Sequence, residues 1–263
     1  MPGSLDAGVV GLGVMGRALA LNMTDRGIRV GGYDLWPAAT AALEAASAGQ
    51  AAGFTDLAAL TARLARPRRL MLMVPAGPPV DAVLASLLPH LEPGDVVIDG
   101  GNSYYGDTER RIAACAEHGV HLVGAGVSGG EEGARFGPSI MPGGPEPAWE
   151  IIAPILRPIA AVAEDGEPCC DWLGTGGIGH AVKTVHNGIE YAFMQLICEA
   201  YALLSRVGGL DADACAAVFD RWNTGDLRSF LIEITAKILR VRDEHGGGEG
   251  GDGDGGRGGG GGG

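Results

Sequence analysis

The sequence lacks a long apolar run. Its runs, such as Leu70-Met71-Leu72-Met73-Val74, fall well short of the ~18 residues that a membrane helix needs. No basic segment followed by an apolar stretch opens the chain, so no secretory signal is read there and a cytoplasmic location is expected. Cysteine is scarce and unpatterned: the five, Cys115, Cys169, Cys170, Cys198 and Cys215, form no C-x-x-C pair. That argues against a disulfide framework or a zinc ribbon. The six histidines have no metal-ligand spacing either, and no metal is expected. Cations are in deficit, 19 Lys and Arg against 32 Asp and Glu, for a formal net charge of −13. Binding nucleic acid through its phosphates needs a basic face, so neither nucleic acid nor a membrane is expected as a partner.

Glycine is in excess. There are 47 in 263 residues, and 14 of them fall within the 18 residues of 246–263. They have no period of three, which excludes collagen. The run over 246–263 can bury nothing and reads as a flexible coil. The chain is 46% hydrophobic and 19% charged, enough to bury a core in one large domain or two smaller ones.

Short apolar runs alternate with helical patterns. Strands are read at 8–12, 29–34, 70–74, 96–99 and 120–123, with helices at 15–26, 37–48, 55–64, 80–88 and 107–118. The continuous apolar run at 70–74 suits a strand covered on both faces. This order predicts an α/β fold with a doubly wound parallel sheet. After about Gly177 the strand signals stop. Helices are read at 178–207, 211–222 and 226–242, so the expected organisation is a dinucleotide-type domain over 1–177, a partial helical domain over 178–245 and a tail over 246–263.

Gly11-Leu12-Gly13-Val14-Met15-Gly16 is G-x-G-x-x-G, and it lies between a predicted strand and a predicted helix. Gly11 allows a tight turn, Gly13 a close approach of a pyrophosphate, and Gly16 close helix–strand packing. The free N–H groups of the helix start suit the phosphates. Asp34 ends the second strand, where a carboxylate can bond adenosine ribose hydroxyls. A carboxylate repels a 2′-phosphate, and Leu35 and Trp36 supply no cation, so NAD is expected over NADP. A bare turn-capping role for Asp34 is the alternative.

Two more glycine clusters follow strands: Asp99-Gly100-Gly101-Asn102-Ser103, and the stretch from Gly126 through Ser128-Gly129-Gly130 to Gly137. Strand ends are where ligands bind in open parallel sheets. On the long helix, Lys183, His186, Asn187, Glu190 and Tyr191 share one face by their spacing. The stripe holds a possible base, a possible acid and three hydrogen-bonding groups. The apolar neighbours Ala181, Val182, Val185, Ile189, Phe193, Leu196 and Ile197 are expected to supply surface for burial.

These segments together resemble the 6-phosphogluconate dehydrogenase family, oxidative decarboxylating enzymes of the pentose phosphate pathway. The match is carried by GLGVMG, DGGNS, GVSGGEEGARFGPSIMPGG, CCDWLG, KTVHNGIEY and LIEIT. The resemblance implies a Rossmann-type doubly wound dinucleotide-binding domain followed by the start of an all-helical domain. It implies NAD or NADP as cofactor and a sugar-acid phosphate as substrate. Lys183 becomes the base at the 3-hydroxyl and Glu190 the acid at carbon 1. Asn102, Ser128, Gly129, Gly130, His186, Asn187 and Tyr191 become substrate ligands. Gly11, Gly13, Val14, Met15, Gly16, Asp34, Val74, Ala76 and Asn102 become cofactor ligands. A β-hydroxyacid dehydrogenase for a smaller substrate is the alternative enzyme, and a non-catalytic dinucleotide-binding fragment the alternative outside enzymes.

The sequence departs from the family at three places. Asp34-Leu35-Trp36 replaces an N-R-T-type stretch suited to a 2′-phosphate. Val74-Pro75-Ala76-Gly77 replaces a loop of V-K-A-G type. Family chains continue for about as long again, through a K-G-T-G-K-W segment and further helices, where this sequence passes into the glycine run. The family implies a homodimer, but much of that interface lies in the part not present here. The expectation is a chain that binds dinucleotide, exposes apolar helix faces and turns over little or no substrate.

Overall fold

The computed structural model describes residues 4–242. The glycine run over 246–263, read above as a flexible coil, lies outside the described residues. The first strand, β1 (Ala7–Val10), leads into α1 (Val14–Asp25), and β2 (Val30–Tyr33) into α2 (Pro37–Ala46). Pro37 sits in the first turn of α2, where its missing N–H costs nothing. Next come β3 (Ala51–Phe54), α3 (Leu57–Arg63), β4 (Arg69–Leu72) and α4 (Pro78–Leu87). Then β5 (Val96–Asp99), α5 (Tyr105–Ala116), β6 (His121–Ser128), α6 (Gly130–Phe136), β7 (Ser139–Gly143) and α7 (Glu146–Leu156) complete the sheet region.

The seven strands lie in the order β3-β2-β1-β4-β5-β6-β7. Strands β1 to β6 pair in parallel. The sheet is therefore doubly wound, with the order reversing between β1 and β4, where such sheets open a crevice at their carboxyl ends. Alternate strand residues feed two cores. Val9, Met71 and Ile98 join one, and Val10, Leu70, Leu72 and Val97 join the other. That is the pattern of a sheet covered by helices on both faces.

Three elements differ from the sequence reading. Strand β3 was not expected, because Ala51-Ala52-Gly53-Phe54 offers little apolar bulk. Strand β6 extends past Val123 to Ser128, its pattern diluted by Gly124 and Gly126. Strand β7 was not expected, and it runs antiparallel to β6, so the sheet is mixed rather than wholly parallel. It lies at the sheet edge and contains Pro142, a residue that edges tolerate because they need fewer N–H donors.

The helical region begins with α8 (Ile178–Ala202), followed by a π-helical turn (Leu203–Val207), α9 (Ala212–Trp222) and α10 (Phe230–Ile238). Asp211 caps α9 by accepting from the Ala214 N–H, and Ser229 caps α10 by accepting from that of Ile232, as short polar side chains do at helix starts. Two compact units divide at Gly188 and Ile189, inside α8. The reason lies in the first turns of α8, which are seated on the sheet through glycines. A Cβ on Gly179 would lie 2.2 Å from the Gly124 carbonyl oxygen and 2.3 Å from that of Met141. One on Gly143 would lie 2.5 Å from the Gly179 nitrogen.

The second unit has a small core of Phe219, Ile232 and Ala236, with Ile197, Ala200, Leu204 and Trp222 packed on it. The rings of Phe219 and Trp222 meet edge-on at 5.1 Å. Phe193, Leu196, Leu227 and Phe230 stand exposed. Several border an apolar groove of about 440 Å³ floored by Phe219 and Trp222. The apolar residues of α8 expected to be buried, Val182, Val185, Ile189, Phe193 and Leu196, are exposed in the described structure.

Candidate active site

The predicted site residues of the first unit form a row along the carboxyl edge of the sheet. In strand order, Asp34 follows β2, Gly11 follows β1, Val74 follows β4, Asn102 follows β5, and Ser128 ends β6. Parallel neighbours in register place these turns side by side.

Each glycine of the first turn has a different constraint. Gly11 has φ +93°, and a Cβ on it would lie 2.5 Å from the Met73 carbonyl oxygen. A Cβ on Gly16 would lie 1.9 Å from the Gly11 carbonyl oxygen, so α1 can approach β1 only without one. Around Gly13 there is nothing within 4 Å. Gly13 is also the N-cap of α1, and no side chain caps that end. Helix α1 therefore presents open space and unclaimed N–H donors at its start, with Val14 exposed and Met15 half-buried beside it. Such an end attracts an anion.

A hollow of about 260 Å³ adjoins this turn, lined by Gly11, Asp34, Leu35, Val74, Val83 and Ser86 among others. Asp34 is fastened to backbone. Its carboxylate accepts from the Leu12 N–H at 2.8 Å and from the Trp36 N–H at 3.0 Å. It therefore caps its own turn and ties the β2 end to the glycine turn. Ala76 stands exposed in the loop after β4.

The Asp99–Ser103 turn is held from beneath. The Asp99 carboxylate is fully buried and accepts from the Ser103 hydroxyl at 2.6 Å and the Gly101 N–H at 3.1 Å. Arg111, on α5, is also buried. It donates to Ser103 Oγ at 3.3 Å, to the Gly77 carbonyl at 2.9 Å and to Asp81 through two nitrogens, and it lies 3.6 Å from Asp99. The Arg111 guanidinium holds the Asp81 carboxyl down at about 2, because an adjacent cation favours the ionised form. These bonds leave Asn102 exposed at the tip of the turn.

After β6, Gly129 and Gly130 take φ +127° and +62°, conformations that only glycine adopts without strain. Ser128 precedes them half-buried, and both glycines are exposed. Lys183 lies on the part of α8 that seats on the sheet. It is only 8% exposed. A Cβ on Gly126 would stand 2.5 Å from the Lys183 Cβ, so the base of this side chain rests against β6 two residues before Ser128. His186 is exposed, with its Nδ1 3.1 Å from Asn187 Oδ1. Asn187 is half-buried. Glu190 and Tyr191 fall in the second unit, farther along the same helix, half-buried and exposed respectively.

The sequence reading missed Thr108, Arg111 and His180. Their signal was present in the spacing. Thr108, Arg111 and Cys115 share the buried face of α5, and an arginine on an otherwise core-facing stripe marks a buried ion pair. His180 precedes Lys183 by one helical turn. Among the described residues, no group of three His, Cys, Asp or Glu side chains is placed to hold a metal ion. Nor is any helix long and apolar enough to cross a membrane.

Comparison with known proteins decides the family. Residues 6–174 match the model described as the NAD binding domain of 6-phosphogluconate dehydrogenase. Residues 179–251 match that of the 6-phosphogluconate dehydrogenase C-terminal domain. The chain belongs to the 6-phosphogluconate dehydrogenase family. The decarboxylating 6-phosphogluconate dehydrogenase of Aggregatibacter actinomycetemcomitans is 54% identical over 243 residues, which is 92% of this chain and 50% of that one. The chain thus spans about half the length of the curated relatives it matches. The Plasmodium falciparum 6-phosphogluconate dehydrogenase, solved apo, with its cofactor NADP+ and with its substrate 6-phosphogluconate, superimposes with a TM-score of 0.86. It is 41% identical, over 91% of this chain and 52% of that one. A 3-hydroxyisobutyrate dehydrogenase from Salmonella typhimurium shares the fold, with a TM-score of 0.71 at 24% identity over 88% of this chain and 76% of that one.

Proposed function

We propose that this chain carries the dinucleotide site and the proton-abstracting helix of a decarboxylating 6-phosphogluconate dehydrogenase. The observation that carries the reading is the row of turns along one sheet edge, with the base of Lys183 seated against β6 beside Ser128. The open, uncapped start of α1 fits the pyrophosphate of a dinucleotide, held by Gly13, Val14, Met15 and Gly16. Gly11, Val74 and Ala76 would flank it, and the hollow beside Asp34 fits the adenosine end. When bound, the nicotinamide supplies hydride-accepting chemistry.

The chain's own residues do the rest. Asn102, Ser128, Gly129, Gly130, His186, Asn187 and Tyr191 hold the sugar acid. Lys183 Nζ takes the proton of the carbon-3 hydroxyl, for which it must be neutral when substrate is bound. The ketone produced at carbon 3 accepts the electron pair released as carbon dioxide leaves. Glu190 then delivers a proton to carbon 1 of the enediol. The assembly expected of the whole protein is the homodimer of the family.

NAD is preferred over NADP in this reading. Asp34 keeps an ionisable oxygen pair at the ribose position, and the exposed Leu35 and Trp36 offer no cation to a 2′-phosphate. Its bonds to Leu12 and Trp36 leave each carboxylate oxygen a second lone pair for a ribose hydroxyl. Initial rates of nicotinamide reduction with 6-phosphogluconate, expected to be low in this chain, are measured for NAD and NADP separately and test both parts. Lys183→Met should abolish reduction and leave dinucleotide affinity intact. Turnover surviving in that variant rules out the assigned base, and a higher kcat/KM with NADP rules out the cofactor preference.

A further inference from the structure

His180 is buried, with 1% of its surface exposed, and it touches two parts of the site at once. Its Nε2 lies 3.1 Å from the Asp99 carbonyl oxygen and its Nδ1 2.7 Å from the Thr108 hydroxyl. A carbonyl oxygen only accepts, so Nε2 carries the proton. Nδ1 then accepts from Thr108. Burial pushes the imidazole pKa below its ordinary value, against the opposing pull of Asp99, which keeps the ring neutral in this tautomer. Asp99 begins the turn that presents Asn102. Thr108 lies on α5, one turn before Arg111, which braces the same turn. His180 itself is three residues before Lys183 on α8.

The space for this ring is cut by glycine. A Cβ on Gly124 would lie 2.8 Å from His180 Nδ1 and 2.6 Å from the Thr108 methyl. Ring and hydroxyl therefore sit directly on β6, with no side chain between. The Thr184 hydroxyl donates to the His180 carbonyl at 2.8 Å, closing the same helical turn.

We propose that His180 is a positioning residue. It locks the Lys183-bearing turn of α8 to the Asn102-bearing turn after β5, through one bond to Asp99 and one from Thr108. The inference rests on the reading of Lys183 as the base, and it adds that the base's register is set by a neutral buried histidine. The alternative, a histidine that merely fills core volume, predicts that any side chain of similar bulk serves equally well.

The sequence makes a direct test possible, because Lys183 and Lys237 are its two lysines. Lys237 has a 69% exposed side chain and serves as the internal reference. The intact chain is acetylated with trace acetic anhydride across a pH series, and modification of each lysine is quantified by mass spectrometry. His180→Ala should raise the Lys183-to-Lys237 ratio roughly tenfold or more, the size set by two lost buried hydrogen bonds. Thr108→Val, which keeps the volume, should raise it by a smaller factor. His180→Gln retains an amide N–H for the Asp99 carbonyl and should restore most of the protection.

A folded Thr108→Val or His180→Ala variant with an unchanged ratio overturns the proposal. So does a His180→Gln variant as reactive as His180→Ala. Folding of each variant is checked by its melting curve, and Thr108→Val carries the test if His180→Ala does not fold. The labelling ratio reads positioning whether or not the chain turns over. Turnover with 6-phosphogluconate reads the functional assignment separately.

Discussion

A methyl group added at Gly126 should act quite differently from one added at Gly13. At Gly126 the new Cβ would stand 2.5 Å from the Lys183 Cβ, 3.0 Å from its Cγ and 3.2 Å from the Gly179 carbonyl oxygen. Carbon atoms rest ~3.5–4.0 Å apart, so helix and strand must separate by about 1 Å or more. Neither partner can rotate away, since a Cβ is fixed to its backbone. Overpacking of this kind costs roughly 1–3 kcal/mol, which for a domain of this size lowers Tm by ~2–12 °C.

At Gly13 the Cβ meets nothing within 4 Å, and φ is −60°. Alanine is a poorer N-cap than glycine, but it also restricts the unfolded chain, and the two effects nearly offset. Gly13→Ala should therefore melt with the parent. It should instead weaken dinucleotide binding by about tenfold or more, ~1.4 kcal/mol, because the methyl occupies the space left for the pyrophosphate. Gly126→Ala should leave that affinity unchanged. Melting by circular dichroism and titration with NAD measure both variants. If Gly126→Ala melts with the parent, or if Gly13→Ala binds dinucleotide as tightly as the parent, the distinction between packing and approach glycines is wrong.

The Asp81 carboxyl lies at about 2 when folded against an ordinary 3.8, so its pairing with Arg111 stabilises the protein above ordinary carboxylate pH and is lost as pH falls through about 2. Asp81→Asn should lower Tm at neutral pH and flatten the loss of Tm between pH ~4 and ~2, read from melting curves over an acid series. Burial pushes the Cys115 and Cys170 thiols up to about 11 and about 12, while Cys198 is exposed. Cys198 should therefore react first with a chromogenic disulfide, and prior modification of Cys115 or Cys170 in native protein contradicts their burial. Leu196→Glu and Phe230→Asp each place a charge on an exposed apolar residue of the second unit, where Phe230 is 66% exposed. Both should reduce concentration-dependent association in sedimentation velocity, and unchanged association removes that face as its cause.

Much of the first unit was legible because its signals are local. The apolar run at Leu70, the turn residues before Val14 and the proline at 37 each act within a few residues of themselves. The G-x-G-x-x-G turn was legible in part for the same reason: Gly16 is constrained by Gly11 five residues earlier and Gly11 by its own φ of +93°, whereas the close approach of Gly11 to Met73 is long-range. Strands β3 and β7 were not legible. Ala51 to Phe54 carries no apolar alternation, and it is a strand because β2 lies beside it. Ser139 to Gly143 contains a proline, and it pairs only because β6 extends far enough to meet it.

The excess of glycine shows where sequence stops and tertiary structure begins. Sequence alone determined that glycines gather at strand ends, where a ligand can approach backbone. It could not distinguish those glycines from Gly124, Gly126, Gly143 and Gly179, which lie where α8 packs on the sheet. These are small because α8 crosses β6 and β7 there, at a distance that no Cβ permits. The same crossing buries His180 and Lys183 on a helix whose later turns are exposed. Residue spacing put Lys183, His186, Asn187, Glu190 and Tyr191 on one stripe, because a helix repeats locally. Only the packing of that helix on a glycine surface decided which part of the stripe lies on the sheet, since that depends on residues far apart in the chain.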